Sequence, residues 1–282
     1  MKIGVSSYSF SKYIDKTGCD LFTVCDKAKE IGFDGIEFIN LNKKCATLDE
    51  LKTAKELKAY CEKIGLEIIA YTVGANLLAG GLDAEIANLK HCVDVAEALG
   101  AKTMRHDIAY ALPEGKTWWE VIDDLVPSIR EITNYAKAKG IRTCSENHGY
   151  IFQAPERVKA VIDAVADANY GWLIDIGNFL CADCQPLPSV KTALPYAMHV
   201  HAKDFLYKDG SCPKPSGFNL TTTGGNYLRG TVVGHGVVPV KDCLGAITAS
   251  GYDGWISLEF EGAEENIYAL TEGLNNIKAF LA

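Results

Sequence analysis

The sequence predicts a single-domain (β/α)8 TIM barrel over residues 1–282, with a long loop after the seventh strand. Three observations predict it. Short apolar, β-rich runs alternate with longer amphipathic stretches, eight of each. Gly32, Gly65, Gly100, Gly140 and Gly251 each follow an amphipathic stretch, where a left-handed cap stops a helix. No linker or low-complexity segment divides the chain. Strict alternation implies parallel strands with right-handed crossovers, and eight such units are what a closed barrel needs.

The elements follow in order. A first strand is expected at 2–8, then a helix at 21–31 and a strand at 35–39. The stretch 48–64 reads as helix, with Leu51, Ala54, Leu57 and Cys61 at roughly helical spacing. A third strand is expected at 66–72, a helix at 84–99, a fourth strand at 102–106 and a helix at 118–139. The fifth strand falls at 141–145, a helix at 155–168, the sixth strand at 171–175 and a short helix at 189–194. The seventh strand is 197–202. The stretch 204–235 is too long for an ordinary connection and carries six glycines and two prolines. It is expected to be irregular and to cover the mouth of the barrel as a mobile lid. A helix at 240–250, an eighth strand at 255–260 and a helix at 264–281 complete the pattern.

Composition narrows the function. The chain has 28 Lys and Arg against 36 Asp and Glu, a net charge of −8. A field of that sign disfavours nucleic acid and anionic membranes as partners. The ten cysteines are scattered rather than packed into a short scaffold, so they are expected to be reduced thiols. Met1-Lys2 leads directly into Ile3-Gly4-Val5 without an apolar signal segment. A cytoplasmic location is therefore expected. Cys181-Ala182-Asp183-Cys184 is a lone pair of cysteines with no second pair to complete a zinc site.

In a barrel the chemistry sits where the strands end. Strands five to eight end in order on Glu146, Asp175, His201 and Glu259. Adjacent strands lie ~4.8 Å apart, so three carboxylates and one imidazole can converge on one cation. An oxygen-rich set with one nitrogen suits Mn²⁺, Mg²⁺, Co²⁺ or Zn²⁺. Further polar residues at the same face are Glu37, His106, Asp107, His148, Lys203, His235 and Glu261. Of these Glu37, His106, His148, Lys203 and His235 are expected to bind substrate, with Lys203 placed to neutralise developing negative charge.

Several motifs carry a resemblance. They are Glu146-Asn147-His148-Gly149, Asp175-Ile176-Gly177-Asn178, His201-Ala202-Lys203-Asp204, Gly234-His235-Gly236 and Gly254-Trp255-Ile256-Ser257-Leu258-Glu259. With Ile3-Gly4-Val5 and Gly32-Phe33-Asp34-Gly35-Ile36-Glu37, they resemble the xylose isomerase-like TIM barrel superfamily, and within it the sugar phosphate isomerase/epimerase family. The resemblance spans essentially the whole chain. It implies one divalent metal held by Glu146, Asp175, His201 and Glu259. It also implies that Glu146 and Glu259 are catalytic, passing a proton through a metal-stabilised cis-enediolate on a sugar or sugar derivative. Members of the family often carry a histidine three residues after the strand-six aspartate, where this chain has Asn178.

Other functions compete. The same site supports a lyase or dehydratase working by β-elimination on a keto-sugar, keto-polyol or glycoside. A non-catalytic sugar-binding barrel is a third reading. A related apurinic-site endonuclease holds three zinc ions and needs more histidines than the six present. The expected partner is a small-molecule sugar, with a homo-oligomer as a further expectation.

Overall fold

The computed structural model describes residues 1–41 and 48–282. In chain order its elements are β1 (Ile3–Ser6), α1 (Ser11–Thr17), α2 (Leu21–Ile31), β2 (Gly35–Ile39), α3 (Glu50–Ile64), β3 (Glu67–Val73), α4 (Leu82–Leu99), β4 (Thr103–His106), α5 (Ile122–Ala138), β5 (Arg142–Glu146) and α6 (Pro155–Val165). There follow β6 (Tyr170–Asp175), α7 (Pro186–Ala193), β7 (Ala197–Ala202), β8 (Asp204–Lys208), β9 (Leu220–Thr221), β10 (Tyr227–Thr231), α8 (Val240–Ala249), β11 (Ile256–Leu258) and α9 (Asn266–Leu281).

The eight strands β1 to β7 and β11 close into a parallel barrel, each beside its neighbour in sequence. The seam is β1 against β11, with Ile3 opposite Ile256 and Val5 opposite Leu258. The fold class is the one the alternation predicts.

Local chemistry sets the helix limits. Asp20 and Asp49 cap α2 and α3 by accepting the backbone N–H groups of Thr23 at 2.9 Å and Lys52 at 3.0 Å. All five glycines expected to stop helices have positive φ. Along α4, Ile86, Leu89, Val93 and Ala96 are buried at helical spacing and pack into the core. Each aliphatic side chain so covered stabilises the fold by roughly 1.5–3 kcal/mol.

Two departures from the expected elements matter. Helix α1 was not anticipated, and the stretch 204–235 is irregular only in part. It holds an antiparallel sheet in the order β8-β10-β9, with Phe205 opposite Gly230 and Leu228 opposite Tyr207. Phe205 and Leu228 bury there with Cys181 as a small second core, against which Leu180 and Leu220 pack. The strands are only five, two and five residues long, too short for an alternation to stand out.

Two irregularities in register aim side chains. Between β2 and β3 the pairing skips Ile69, and between β6 and β7 it skips Met198. The second shift sets Asp175 directly beside His201. Among the described residues no helix is long and apolar enough to cross a membrane. The nine described cysteines are free thiols; Cys45 lies outside the described residues.

Candidate metal centre

Glu146 closes β5, Asp175 closes β6, His201 lies near the end of β7, and Glu259 follows β11. One ligand atom from each of the four lies within 4.8 Å of the others. His201 Nδ1 stands 3.9 Å from Glu146 Oε1, 3.9 Å from Asp175 Oδ2 and 3.6 Å from Glu259 Oε2. All four residues are buried.

The side chains of the cluster are aimed by partners behind them. Asp175 Oδ1 accepts the backbone N–H groups of Gly177 at 2.8 Å and Asn178 at 2.9 Å. That leaves Oδ2 facing inward. Glu146 accepts from Asn178 Nδ2 at 2.7 Å through Oε1, and Arg105 Nη2 pairs with its Oε2 at 2.7 Å. His201 Nε2 lies 3.0 and 3.1 Å from the two oxygens of Glu37. A carboxylate only accepts, so the ring hydrogen sits on Nε2 and donates to Glu37. Nδ1 is then turned toward the three carboxylates, the usual arrangement of a metal-binding histidine.

Two buried atoms test the fit for a cation. Asp175 Oδ2 and His201 Nδ1 have no hydrogen-bond partner, and they face each other across the cluster. Buried polar atoms left unpaired cost free energy unless something satisfies them. Three carboxylate oxygens and one imidazole nitrogen match a divalent ion, so these residues fit one.

The charges report the same crowding. Burial pushes the Asp175 carboxyl up to about 6, offset in part by Lys203 and reinforced by Glu146 and Glu259. Burial also raises Glu259, but Lys203 and His201 outweigh it and hold Glu259 well below the carboxylate range. Burial disfavours a charged His201, yet Glu37 and Glu259 raise it well above the usual imidazole value. Lys203 Nζ lies 2.5 Å from Glu259 Oε2, 3.2 Å from Asp175 Oδ2 and 3.8 Å from Glu261 Oε1.

A cleft of about 300 Å³ opens over the cluster, at the small end of ligand pockets. Glu146, Glu259, Lys203 and His148 line it, together with Arg105, Asp107 and Tyr110. His148 Nδ1 sits 2.9 Å from Asp107 Oδ1. Asp107 is held down at about 2: burial opposes this, but Arg105 and His148 outweigh it.

Three of the expected substrate contacts lie elsewhere. Glu37 is wholly buried, and its carboxylate is spent on Thr72, His199 and His201 at 2.8–3.1 Å. It supports a ligand from behind. His106 is also wholly buried, stacked on Tyr170 with a centroid distance of 5.9 Å, and its Nδ1 meets the Asp107 carbonyl. Successive strand residues face opposite ways, and on β4 the residue facing the cleft is Arg105. His235 is exposed. Its two flanking glycines are what the fold uses: Gly234 N–H and Gly236 N–H donate to Asp204 Oδ2 at 2.9 and 2.8 Å. A Cβ on Gly236 would stand 2.2 Å from Asp204 Oδ1.

Sequence reasoning passed over Arg105. Its Nη2 also pairs with Asp107 Oδ1 at 2.7 Å, and its Nη1 donates to the Val73 carbonyl at 3.1 Å. Its place one residue before His106, at the end of β4, was the available signal.

Comparison with known proteins adds the family. The profile of the xylose isomerase-like TIM barrel family matches residues 25–280. No curated protein sequence matches. Among solved structures, the probable 3-DHS dehydratase AsbF involved in petrobactin synthesis from Bacillus anthracis is 17% identical, with 99% of each chain covered and a TM-score of 0.79. D-psicose 3-epimerase from Clostridium cellulolyticum H10, solved with D-tagatose, is 17% identical over 100% of this chain and 99% of that one, with a TM-score of 0.75. A xylose isomerase-like TIM barrel protein from Mycobacterium smegmatis, solved with magnesium, is 20% identical over 93% of this chain and 88% of that one, with a TM-score of 0.71. At these identities the likeness is one of fold. On the profile match, the chain belongs to the xylose isomerase-like TIM barrel family.

Proposed function

We propose that this protein is a divalent-metal-dependent isomerase or epimerase of a sugar or sugar derivative. The observation that carries the reading is the convergence of Glu146, Asp175, His201 and Glu259 on one point, where Asp175 Oδ2 and His201 Nδ1 face each other, both buried and neither hydrogen-bonded. The family and the epimerase and dehydratase among its structural relatives support it.

A bound divalent ion would supply positive charge that acidifies the carbon beside a carbonyl and steadies the enediolate. The chain's own residues do the rest. Glu146 and Glu259 both line the cleft, and Arg105 holds Glu146 while Lys203 holds Glu259. One carboxylate removes the proton, and the other returns it to the opposite face or the neighbouring carbon. The buried Lys203 ammonium lowers the cost of negative charge on the substrate oxygen.

One observation favours a second reading, a dehydratase. Lys203 Nζ lies 2.5 Å from Glu259 Oε2 and lines the cleft, so a fixed positive charge stands where a departing hydroxide would develop negative charge.

Incubation of the manganese-loaded protein with ketoses, inososes and keto-glycosides in heavy water tests both. An isomerase or epimerase yields a product one mass unit heavier per exchanged proton; a dehydratase yields one lighter by water. Glu146→Gln and Glu259→Gln should each abolish uptake, and uptake surviving in both would overturn the two-carboxylate assignment.

A further inference from the structure

The cleft over the ligand cluster does not end at Lys203. A second chamber of about 340 Å³ adjoins it and shares four walls, Tyr110, His148, Lys203 and Glu261. It more than doubles the space beside the cluster. Proton transfer at the four ligands has no need of it.

The far side of the chamber is built with care. Tyr150 sits there with φ of 66°, a conformation that residues with side chains rarely adopt. Such outliers persist where surrounding bonds fix them, and they gather at ligand sites. Here the Tyr150 N–H donates to Gln153 Oε1 at 2.7 Å, and Tyr150 lines the chamber together with Leu220 of β9. Gln153 Nε2 in turn donates to the Asn178 carbonyl at 2.8 Å. The loop after β5 and the turn after β6 are thereby tied together around the chamber.

The wall chemistry reads as a ring platform. Tyr110 is 48% exposed and Tyr150 40% exposed, which leaves both aromatic rings open to a ligand, with Leu220 beside them. Aromatic faces suit the apolar face of a second ring. Resting on the reading of the cluster as a keto-sugar site, we propose that the substrate is a two-ring glycoside. Its keto-sugar ring lies over Glu146, Asp175, His201 and Glu259. Its second ring, sugar or aryl, occupies the chamber between Tyr110, Tyr150 and Leu220.

The test compares three probes, the methyl, phenyl and glucosyl glycosides of 3-keto-glucose. Deuterium uptake from heavy water is measured with the manganese-loaded protein, its Tyr150→Ala variant and its Leu220→Ala variant. In parallel, binding of the unreactive phenyl and methyl glucosides is measured by calorimetry on all three proteins. The expected result is a kcat/KM at least about tenfold higher for the phenyl or glucosyl probe than for the methyl one, the scale of one good aromatic contact. Whichever of the two is faster identifies the second ring. Either variant should bring that ratio toward one, and each should weaken phenyl glucoside binding relative to methyl. Equal rates for all three probes, with phenyl and methyl glucosides bound alike by every variant, would overturn the second-ring site. If no probe exchanges a proton while the phenyl preference in binding remains, the reaction assigned to the cluster fails and the second-ring site stands.

Discussion

Glu37 and His201 meet across the barrel at 3.0 Å, on β2 and β7, and both are wholly buried. The contact decides which nitrogen of the imidazole faces the cluster. His199 and His201 outweigh the burial that would raise Glu37, and they hold its carboxyl well below the usual range. It is thus an anion at any working pH. Glu37→Gln keeps the volume but removes the charge that fixes the ring. Manganese affinity by isothermal calorimetry should fall about 10- to 100-fold with little change in kcat at saturating metal. Unchanged affinity would remove Glu37 from the support of His201.

Arg105 bridges Glu146 and Asp107, and all three are nearly inaccessible. Replacing one partner of a buried ion pair leaves a charge stranded. Arg105→Met should cost about 3–5 kcal/mol in urea unfolding of the metal-free protein. Added manganese should recover part of that loss, because a bound cation also neutralises Glu146. A cost near zero would mean the pair contributes nothing to holding Glu146.

Cation binding should stabilise the fold, since three buried carboxylates crowd one point. At a hundredfold excess over Kd the gain is about 2.7 kcal/mol. That corresponds to a rise of roughly 5 °C in Tm for a chain of this size. Chelator should reverse it, and Asp175→Asn should blunt it. A melting curve indifferent to manganese would count against the site.

The same groups set a pH dependence. His201 keeps a proton well above the ordinary imidazole range, so a cation must displace it at neutral pH. Below about 6, Asp175 is protonated as well. Metal affinity should therefore fall about tenfold per pH unit near neutrality and about a hundredfold per unit below 6. In the metal-free protein the Asp175 contribution has the opposite sense. Its folded pKa lies above its unfolded one, so its penalty grows as pH rises from 3.8 to about 6 and is complete above that. Proton release measured in weakly buffered titrations checks the count.

The sequence made the architecture legible because the barrel repeats one local pattern. Glu146, Asp175, His201 and Glu259 were readable because each ends a strand that periodicity had already placed. Glu37 lies mid-strand in β2, two residues before its end, and nothing local separates a substrate contact there from a residue buried behind His201. That distinction lies in the crossing of the barrel from β2 to β7. Arg105 and His106 are neighbours, and which one faces the cleft depends on the phase of a four-residue strand. The strands β8, β9 and β10 are short, and glycine-containing turns separate them. Asp204 accepts four backbone N–H groups, those of Phe205, Gly234, Gly236 and Val238, and three of these lie about thirty residues away in sequence.

The most direct measurement is the anomalous scattering of a crystal soaked in manganese. One peak is expected within about 2.0–2.4 Å of Glu146, Asp175, His201 Nδ1 and Glu259 together. A map with no peak there, or one with the ion held instead among Glu37, His199 and His201, would contradict the assignment.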